Sequence, residues 1–590
     1  MKRLSALILV GIILINLNGQ IRADNRETAV TSKRVSAELA EAVYAANEDD
    51  EIPTYVILQD IDTEAILERF VELYPNEANV YFLSKGDDKK MDSPSTLSNI
   101  NGDYLQRAIE LKRSLFAAEY RAHNQAFADD IVDENKQVFI SEYSPMIILA
   151  LSKEQIDFLS KDENVCGLDL FINEDCHDCI EVANSISKAD YVRDSEGFDG
   201  SGIKIGQLES GVPQDNSDLL NVNKLSTDSQ TAHATLVALI MVGQSNGIAP
   251  GAILYSRAMS SLSGFYRKVE DLLSLGVNII NVSAGFASDG QYGTSSKWVD
   301  HIAKQHDVHI VFASGNYDKF VNPDYYVSNV GMAYNAFTVG CFDDKNIVEP
   351  SNEGEEHSIC DYSAYEEWYN INRAEKPNVI ASGENIYYPG FGSNSGTSFA
   401  APQVSGVIAQ MCQRDTMLKT RQSVMGALLA AGAVAIDQSN DPLIANTQQI
   451  REKQGAGMLN ARNMLEIIDS GIYLRYKRAA ENFPITRTVS ISTLQQTTVR
   501  AAIFWLKQNS LSGNHSSGFS INEEPLSNLD LKIYDPNGTA IALSTTQYSN
   551  YEIVEFSPTV SGTYTIKITR SASATAAEEI VGLAFIQSVD

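Results

Sequence analysis

The segment IGQLESGV, Ile205–Val212, decides the fold. A hydrophobic run ends in one carboxylate, Glu209, and Ser210 and Gly211 follow at once. A strand buried on both faces that stops at an acid and a turn presents that acid at the rim of a sheet. The same pattern recurs downstream in VNIINVSAG (277–285), HIVFASGN (309–316) and AFTVGCF (336–342), with segments of helical period between them. Short buried strands alternating with helices predict an α/β fold with a doubly wound parallel sheet. In such sheets the chemistry gathers at the carboxyl ends of the strands, where Glu209, Ser283 and Asn316 all fall.

Outside this block the pattern changes. At 590 residues the chain is too long for one core. MKRLSALILVGIILINLNGQIRAD puts Lys2 and Arg3 ahead of an apolar run from Leu4 to Leu17, with Ala23 as the last residue before cleavage. The run is shorter than the roughly 20 residues that span a bilayer, so it predicts a secretory signal and no membrane span once it is removed. The polar stretch to Asp50 is expected to be a linker. TYVILQDID (54–62) then predicts a strand followed by a helix over Ala65–Leu73. SPMIILALSKEQIDFLSKDENV (144–165) predicts a strand and a helix capped by Ser152 with Gln155 three residues later. Together these form a small α+β module. After about Ile472, RTVSIS, VRAAIFWL, LDLKIYDPNG and TYTIKITR are alternating strands broken by turns such as Asp535–Gly538, which predict an all-β sandwich or jelly roll.

Lys+Arg 45 against Asp+Glu 76 gives a net charge of −31, which disfavours nucleic acid and anionic membrane surfaces as partners. Six cysteines in so long a chain are too few for a stabilising disulfide framework.

The chemistry concentrates in GSNSGTSFAAPQVSGVIAQM, Gly392–Met411. Val404, Val407, Ile408 and Met411 share one helical face, with Pro402 expected in the first turn, so Ser398 stands at the mouth of a helix. Backbone N–H groups and the positive dipole end there can stabilise charge developing on a carbonyl oxygen. A serine hydroxyl needs a base to become a nucleophile. Of eight histidines, His233 in TAHATLVALIMVG fits, leading a helix apolar almost all round, with its imidazole expected at an exposed first turn.

GTSFAAP, HATLVA and IGQLESGV together resemble the subtilisin-like serine proteases. GIAPGAILYS (247–256), IINVSAG (279–285), VFASGN (311–316), TVGCFD, YSAY, KPNVIASGENI and GAGMLNA (455–461) follow in the family's order, so the resemblance covers roughly Phe198 to Ile468. It implies Ser398 as nucleophile, His233 as general base, Asn316 as side-chain donor of the oxyanion hole, and Ser283, Ala284 and Gly285 as part of the wall that pairs with an extended substrate. An oxyanion donor of this kind contributes about 3 kcal/mol to the barrier. Two positions depart from the family. Ala234 follows the base where glycine is usual, and Glu209 stands where the family has aspartate. Glutamate keeps the charge and both acceptor oxygens, and its extra methylene must be absorbed by a changed rotamer or a shifted strand end.

The resemblance also implies that the N-terminal module is a propeptide, a folding aid and temporary inhibitor, and that the C-terminal strands are the appendage found behind large members of the family. The reaction requires no cofactor. Asp530 and Asp535 are candidate calcium ligands, set against the plainer expectation of solvated acids at a strand end and a turn. CGLDLFINEDCHDC (166–179) offers only half a zinc site, so a disulfide from Cys166 to Cys176 or Cys179 is the better expectation.

The expected organisation is therefore a signal peptide over 1–23, a linker and propeptide over 24–180, a catalytic domain over 181–470 and a β-sandwich over 471–590. The expected function is a secreted serine endopeptidase, extracellular or periplasmic, acting on peptides or proteins with its own propeptide as inhibitor. The rival expectation is a catalytically silent binding protein on the same fold.

Overall fold

The computed structural model describes residues 35–47, 50–85, 102–171, 187–225, 227–286, 290–316, 326–345, 357–366, 374–388, 391–436, 452–492, 497–508, 525–574 and 576–589. The expected signal peptide, Cys176 and Cys179 lie outside them.

The first unit is a four-stranded antiparallel sheet of order β2-β3-β1-β4, from β1 (Ile52–Leu58), β2 (Gln137–Ile140), β3 (Met146–Leu151) and β4 (Val165–Leu170). The predicted helix is α2 (Thr63–Leu73), and α5 (Lys153–Leu159) carries the expected capping box of Ser152 and Gln155. One expectation fails. The stretch before Asp50 is no mere linker, because α1 (Ala37–Ala45), capped by Ser36, buries Leu39 and Val43 beside the sheet. Two further helices, α3 (Pro75–Ser84) and α4 (Gly102–Ile131), enlarge the module.

The second unit is an eight-stranded sheet. It comprises β5 (Lys204–Glu209), β6 (Val222–Lys224), β7 (Ile253–Ala258), β8 (Ile279–Val282), β9 (His309–Ala313), β10 (Phe337–Asp343), β11 (Ser358–Ile359) and β12 (Val379–Ser382). Its order is β11-β10-β9-β8-β5-β7-β6 with β12 beside β10, parallel throughout except for β11. This is the predicted α/β sheet. From β5 the chain moves to β6 and β7 on one side and then returns to β8 on the other. The crevice beyond the ends of β5 and β8 is thus a topological switch point.

One face of the sheet is covered by α6 (Ala232–Val242), α9 (Thr397–Arg414), α10 (Gln422–Gly432) and α11 (Ala461–Ser470), in a core that includes Leu236, Val404 and Leu428. The other carries α7 (Leu262–Ser274) and α8 (Thr294–His306), and there Phe265, Tyr266 and Trp298 share one core with Tyr55, Phe139 and Ile148 of the N-terminal sheet. Tyr55 and Tyr266 hydroxyls are 2.7 Å apart. The long α4 reaches the end of α8, where Arg113 donates to the carbonyls of His306 (2.7 Å), Val277 (2.8 Å) and Asp307 (3.1 Å). Cys341 and Cys360 form a disulfide that ties β10 to the segment after β11, a pairing the sequence did not reveal.

The C-terminal strands form two four-stranded antiparallel sheets. β13 (Tyr473–Ala479), β20 (Glu578–Val589), β15 (Thr497–Trp505) and β18 (Tyr551–Phe556) make one; β14 (Ile485–Ile491), β19 (Gly562–Arg570), β16 (Leu529–Tyr534) and β17 (Ala540–Ser544) make the other. They share a core of Tyr476, Trp505, Leu531 and Ile566. The first sheet also lends Ala502, Phe504 and Ala584 to the core of the parallel-sheet unit, so the sandwich is packed onto it. Asp535–Gly538 is the expected turn, with Gly538 at φ +82° donating its N–H to the Asp535 carbonyl at 3.0 Å.

Candidate active site

Glu209 is the last residue of β5 and is fully buried. His233 is the second residue of α6, whose N-terminus is capped by Thr231 accepting from the Ala234 N–H at 3.2 Å. Ser398 is the second residue of α9. The fold brings these three together. Glu209 Oε2 is 2.9 Å from His233 Nδ1, and His233 Nε2 is 3.1 Å from Ser398 Oγ. The Phe399 ring lies 5.2 Å from the imidazole and helps to cover it, so the base is 5 % exposed where an exposed first turn was expected.

Pro402 also departs from expectation. The helix begins at Thr397, which places the proline in the second turn rather than the first. Its missing N–H deprives the Ser398 carbonyl of the usual i+4 donor. The N-terminus behind Ser398 has Gly396 as cap with no side-chain bond, the Gly396 carbonyl accepts from the Phe399 N–H at 3.2 Å, and the positive end of the helix dipole lies at Ser398.

Asn316 lies three residues beyond β9. Its Oδ1 accepts from Thr397 N–H and from Thr397 Oγ, both at 2.9 Å, and Thr397 Oγ accepts from Gly315 N–H at 3.1 Å. These bonds fix the amide plane and leave Nδ2 as its donating end. Thr397 therefore locks the asparagine loop to the chain beside Ser398, a role that sequence spacing did not suggest. Gly315 sits at φ +110°, which glycine adopts without strain.

Ser283 and Ala284 are buried and Gly285 is partly exposed, immediately after β8. Ser283 Oγ accepts from Asn281 Nδ2 at 2.9 Å. The wall and the acid thus leave adjacent strands at the switch point. Other buried histidines serve structure. Burial pushes His301 down to about 3 and His309 down to about 4. His306 and His309 bond backbone carbonyls of Tyr143 and Leu418, each at 2.8 Å.

The candidate calcium ligands do not converge. Asp530 accepts from Lys532 Nζ and Thr569 Oγ, both at 3.0 Å, while Asp535 caps its own turn through the N–H groups of Asn537 (2.9 Å) and Thr539 (2.7 Å). Among the described residues no group of three or more His, Cys, Asp or Glu side chains is placed to hold a metal ion. No described helix is long and apolar enough to cross a membrane.

Residues 184–457 match the model of the Subtilase family, Peptidase_S8. The chain is similar to M-protease of Shouchella clausii, 27% identical over 318 residues, which are 48% of this chain and 75% of that protein. It is also similar to pyrolysin of Pyrococcus furiosus, 28% identical over 258 residues, 38% of this chain and 18% of that protein. Among solved structures, the prenylagaramide maturation protease PagA is 25% identical, covering 48% of this chain and 98% of its own, with a TM-score of 0.38. The similarity to the subtilase family of serine-type peptidases is thus carried by residues 184–457.

Proposed function

We propose that this protein is a secreted, self-maturing endopeptidase with a Ser398, His233, Glu209 triad. The observation that carries the proposal is the continuous hydrogen-bonded path from Glu209 through His233 to Ser398, at 2.9 and 3.1 Å. In the reaction, Ser398 Oγ attacks the scissile carbonyl carbon while His233 Nε2 takes its proton. Glu209 holds the Nδ1–H tautomer and stabilises the imidazolium. The oxyanion is met by Asn316 Nδ2 and the Ser398 N–H at the positive end of α9. His233 then gives its proton to the leaving amine, and water, activated by the same base, releases the acyl group from Ser398.

Ser283, Ala284 and Gly285 form the wall along which an extended peptide lies. The N-terminal module acts as propeptide, and its shared core with α7 and α8 supports that role. Export to an oxidising compartment is supported by the Cys341–Cys360 bond. Labelling with a fluorophosphonate probe tests the proposal: the processed wild type should be modified at Ser398 and Ser398→Ala should not. Correctly folded wild type that fails to label favours the silent binding protein instead.

A further inference from the structure

Gln207 on β5 and Asn281 on β8 are directly paired across the centre of the parallel sheet, and both are fully buried. Interior positions of parallel strands are ordinarily apolar, so two amides at one level need a use. Each is bonded to a different helix of the active site. Gln207 Nε2 donates to the Ala234 carbonyl at 2.7 Å, one residue beyond the base on α6. Asn281 Oδ1 accepts from Ser405 Oγ at 2.9 Å, two turns beyond the nucleophile on α9.

Gln207 is the more telling of the two. It precedes Glu209 by two residues, so both side chains leave β5 on the same face. They reach successive residues of one helix, Glu209 to His233 and Gln207 to Ala234. Gln207 Oε1 is buried with no hydrogen-bond partner among the described residues, a cost retained although an apolar residue would avoid it. A glutamate reaches one methylene further than an aspartate, so the strand and the base-bearing helix must be held correspondingly apart. The side chain that spans the same gap, two residues earlier, is the long amide of Gln207.

Resting on the triad proposed above, we infer that Gln207 is a positioning residue, a tether whose length sets the separation between β5 and the His233 helix to the reach of Glu209. It acts through α6 and does not touch substrate. Removing its donor lets the imidazole drift from the carboxylate and weakens the transition state more than substrate binding. Shortening it by one methylene draws the helix in by the amount that an aspartate lacks.

The experiment uses the full chain after processing, with Gln207→Met, Gln207→Asn, Glu209→Asp and the double variant Gln207→Asn/Glu209→Asp. Gln207→Met should lower kcat about tenfold with KM changed less than twofold. The double variant should be about tenfold more active than Glu209→Asp alone, although each single change is harmful. Thermal melting accompanies each protein. If Gln207→Met does not fold, the two asparagine variants decide, since they keep the amide. Wild type that labels at Ser398 while the Gln207 and Glu209 losses simply multiply overturns the tether and leaves the triad standing. Wild type that does not label overturns the triad and the tether with it.

Discussion

Glu209 Oε2 lies 2.9 Å from His233 Nδ1, a normal hydrogen bond between a carboxylate at the end of β5 and an imidazole at the start of α6. The Glu209 carboxylate is therefore in contact with the imidazole and not withdrawn from it. Replacing it by glutamine presents an amide that can no longer stabilise the imidazolium. Glu209→Gln should lower kcat by about 10³ to 10⁴-fold with little change in KM. Glu209→Asp keeps the charge but opens a gap of about one methylene and should cost about 10²-fold. Steady-state kinetics of the three proteins on one peptide substrate measure this; equal rates within a few fold would mean that Glu209 has no part in catalysis.

Maturation should depend on the same serine. The described residues of the N-terminal module are packed up to Phe171, which is 3 % exposed, and cleavage is expected between about Asp169 and Ser195. Wild type should trim itself there during purification while Ser398→Ala stays full length, as mass spectrometry would read directly. Identical trimming of both proteins would assign the cut to another protease. Cys166 is buried in the core shared by the N-terminal sheet and α7. If it bonds Cys176 or Cys179 beyond the cut, the released fragment should separate only on a reducing gel.

The parallel sheet and the three triad positions were legible because they are written locally. β5, β8, β9 and β10 are short, mostly apolar runs ending at turn residues, and the motifs at Glu209, His233 and Ser398 each sit at an element end. The N-terminal helices were not, for a physical reason visible in α4. Its buried face runs through Leu105, Ile109, Phe116 and Tyr120 but is interrupted by Lys112, Arg113 and Asn124, which are buried as well. Those polar residues belong on that face because they bond the end of α8 and the β2–β3 turn, partners far away in sequence. Gln207, Asn281 and Thr397 escaped notice in the same way. Each resembles an ordinary strand or turn residue until the fold supplies its partner.

Glu270, on α7, gives the interface with the N-terminal module a dependence on pH. Its carboxyl accepts from Ser141 Oγ and from the Glu142 N–H at 3.0 Å, and burial raises it from an ordinary 4.5 to about 8 despite those bonds. The nearby Glu142 carboxylate pushes in the same direction, although it is itself paired with Arg121. The folded form therefore holds the proton more tightly than the unfolded form. This stabilisation is full below about 4.5 and is lost as pH rises through about 8. Glu270→Gln removes the dependence, so its stability relative to wild type should grow between pH 5 and 8, by at most about 1.4 kcal/mol per pH unit. Buried His301 and His309 titrate alike in both proteins and cancel from the difference. Urea unfolding of both proteins in the Ser398→Ala background measures it, and parallel pH profiles would refute it.

Asp307 is the anchor on the other side of that interface. Burial works to raise its carboxyl, but the Lys112 and Lys85 ammonium groups and the Tyr81 hydroxyl outweigh this and hold it well below the usual carboxylate range. It caps α8 at φ +54°, a left-handed conformation that asparagine tolerates, so Asp307→Asn removes the charge and little else. The buried Lys112 and the partly buried Lys85 are then left without this counter-ion, and the expected loss is about 3 to 5 kcal/mol near neutral pH. The loss should shrink above pH 8, because burial already lowers Lys85 to about 8 and its neutral form needs no partner. Denaturant melts at pH 7 and pH 9.5 give both figures; a loss under 1 kcal/mol at pH 7 would show the network to be dispensable.

Gly426 decides how closely the C-terminal sandwich can sit on the parallel-sheet unit. It lies within α10, where alanine would ordinarily add about 1 kcal/mol of helix stability. A Cβ at this position, however, would fall 2.4 Å from Phe504 Cγ, and the whole ring is near, with Cδ2 at 2.5 Å and Cδ1 at 2.7 Å. Phe504 is itself buried between the two units, so the ring has no free end to swing away. Overpacking of this kind costs about 1 to 3 kcal/mol, which outweighs the helix gain. Gly426→Ala should therefore destabilise the protein, and Gly426→Ala/Phe504→Leu should recover part of the loss by making room for the methyl. Gly264→Ala on α7 is the comparison, since its Cβ would come no closer than 3.4 Å to its nearest neighbour, Ser261 Oγ. Calorimetry in the Ser398→Ala background should rank Gly426→Ala below both of the others. A Gly426→Ala protein as stable as its parent would mean that the sandwich can shift on α10 without cost.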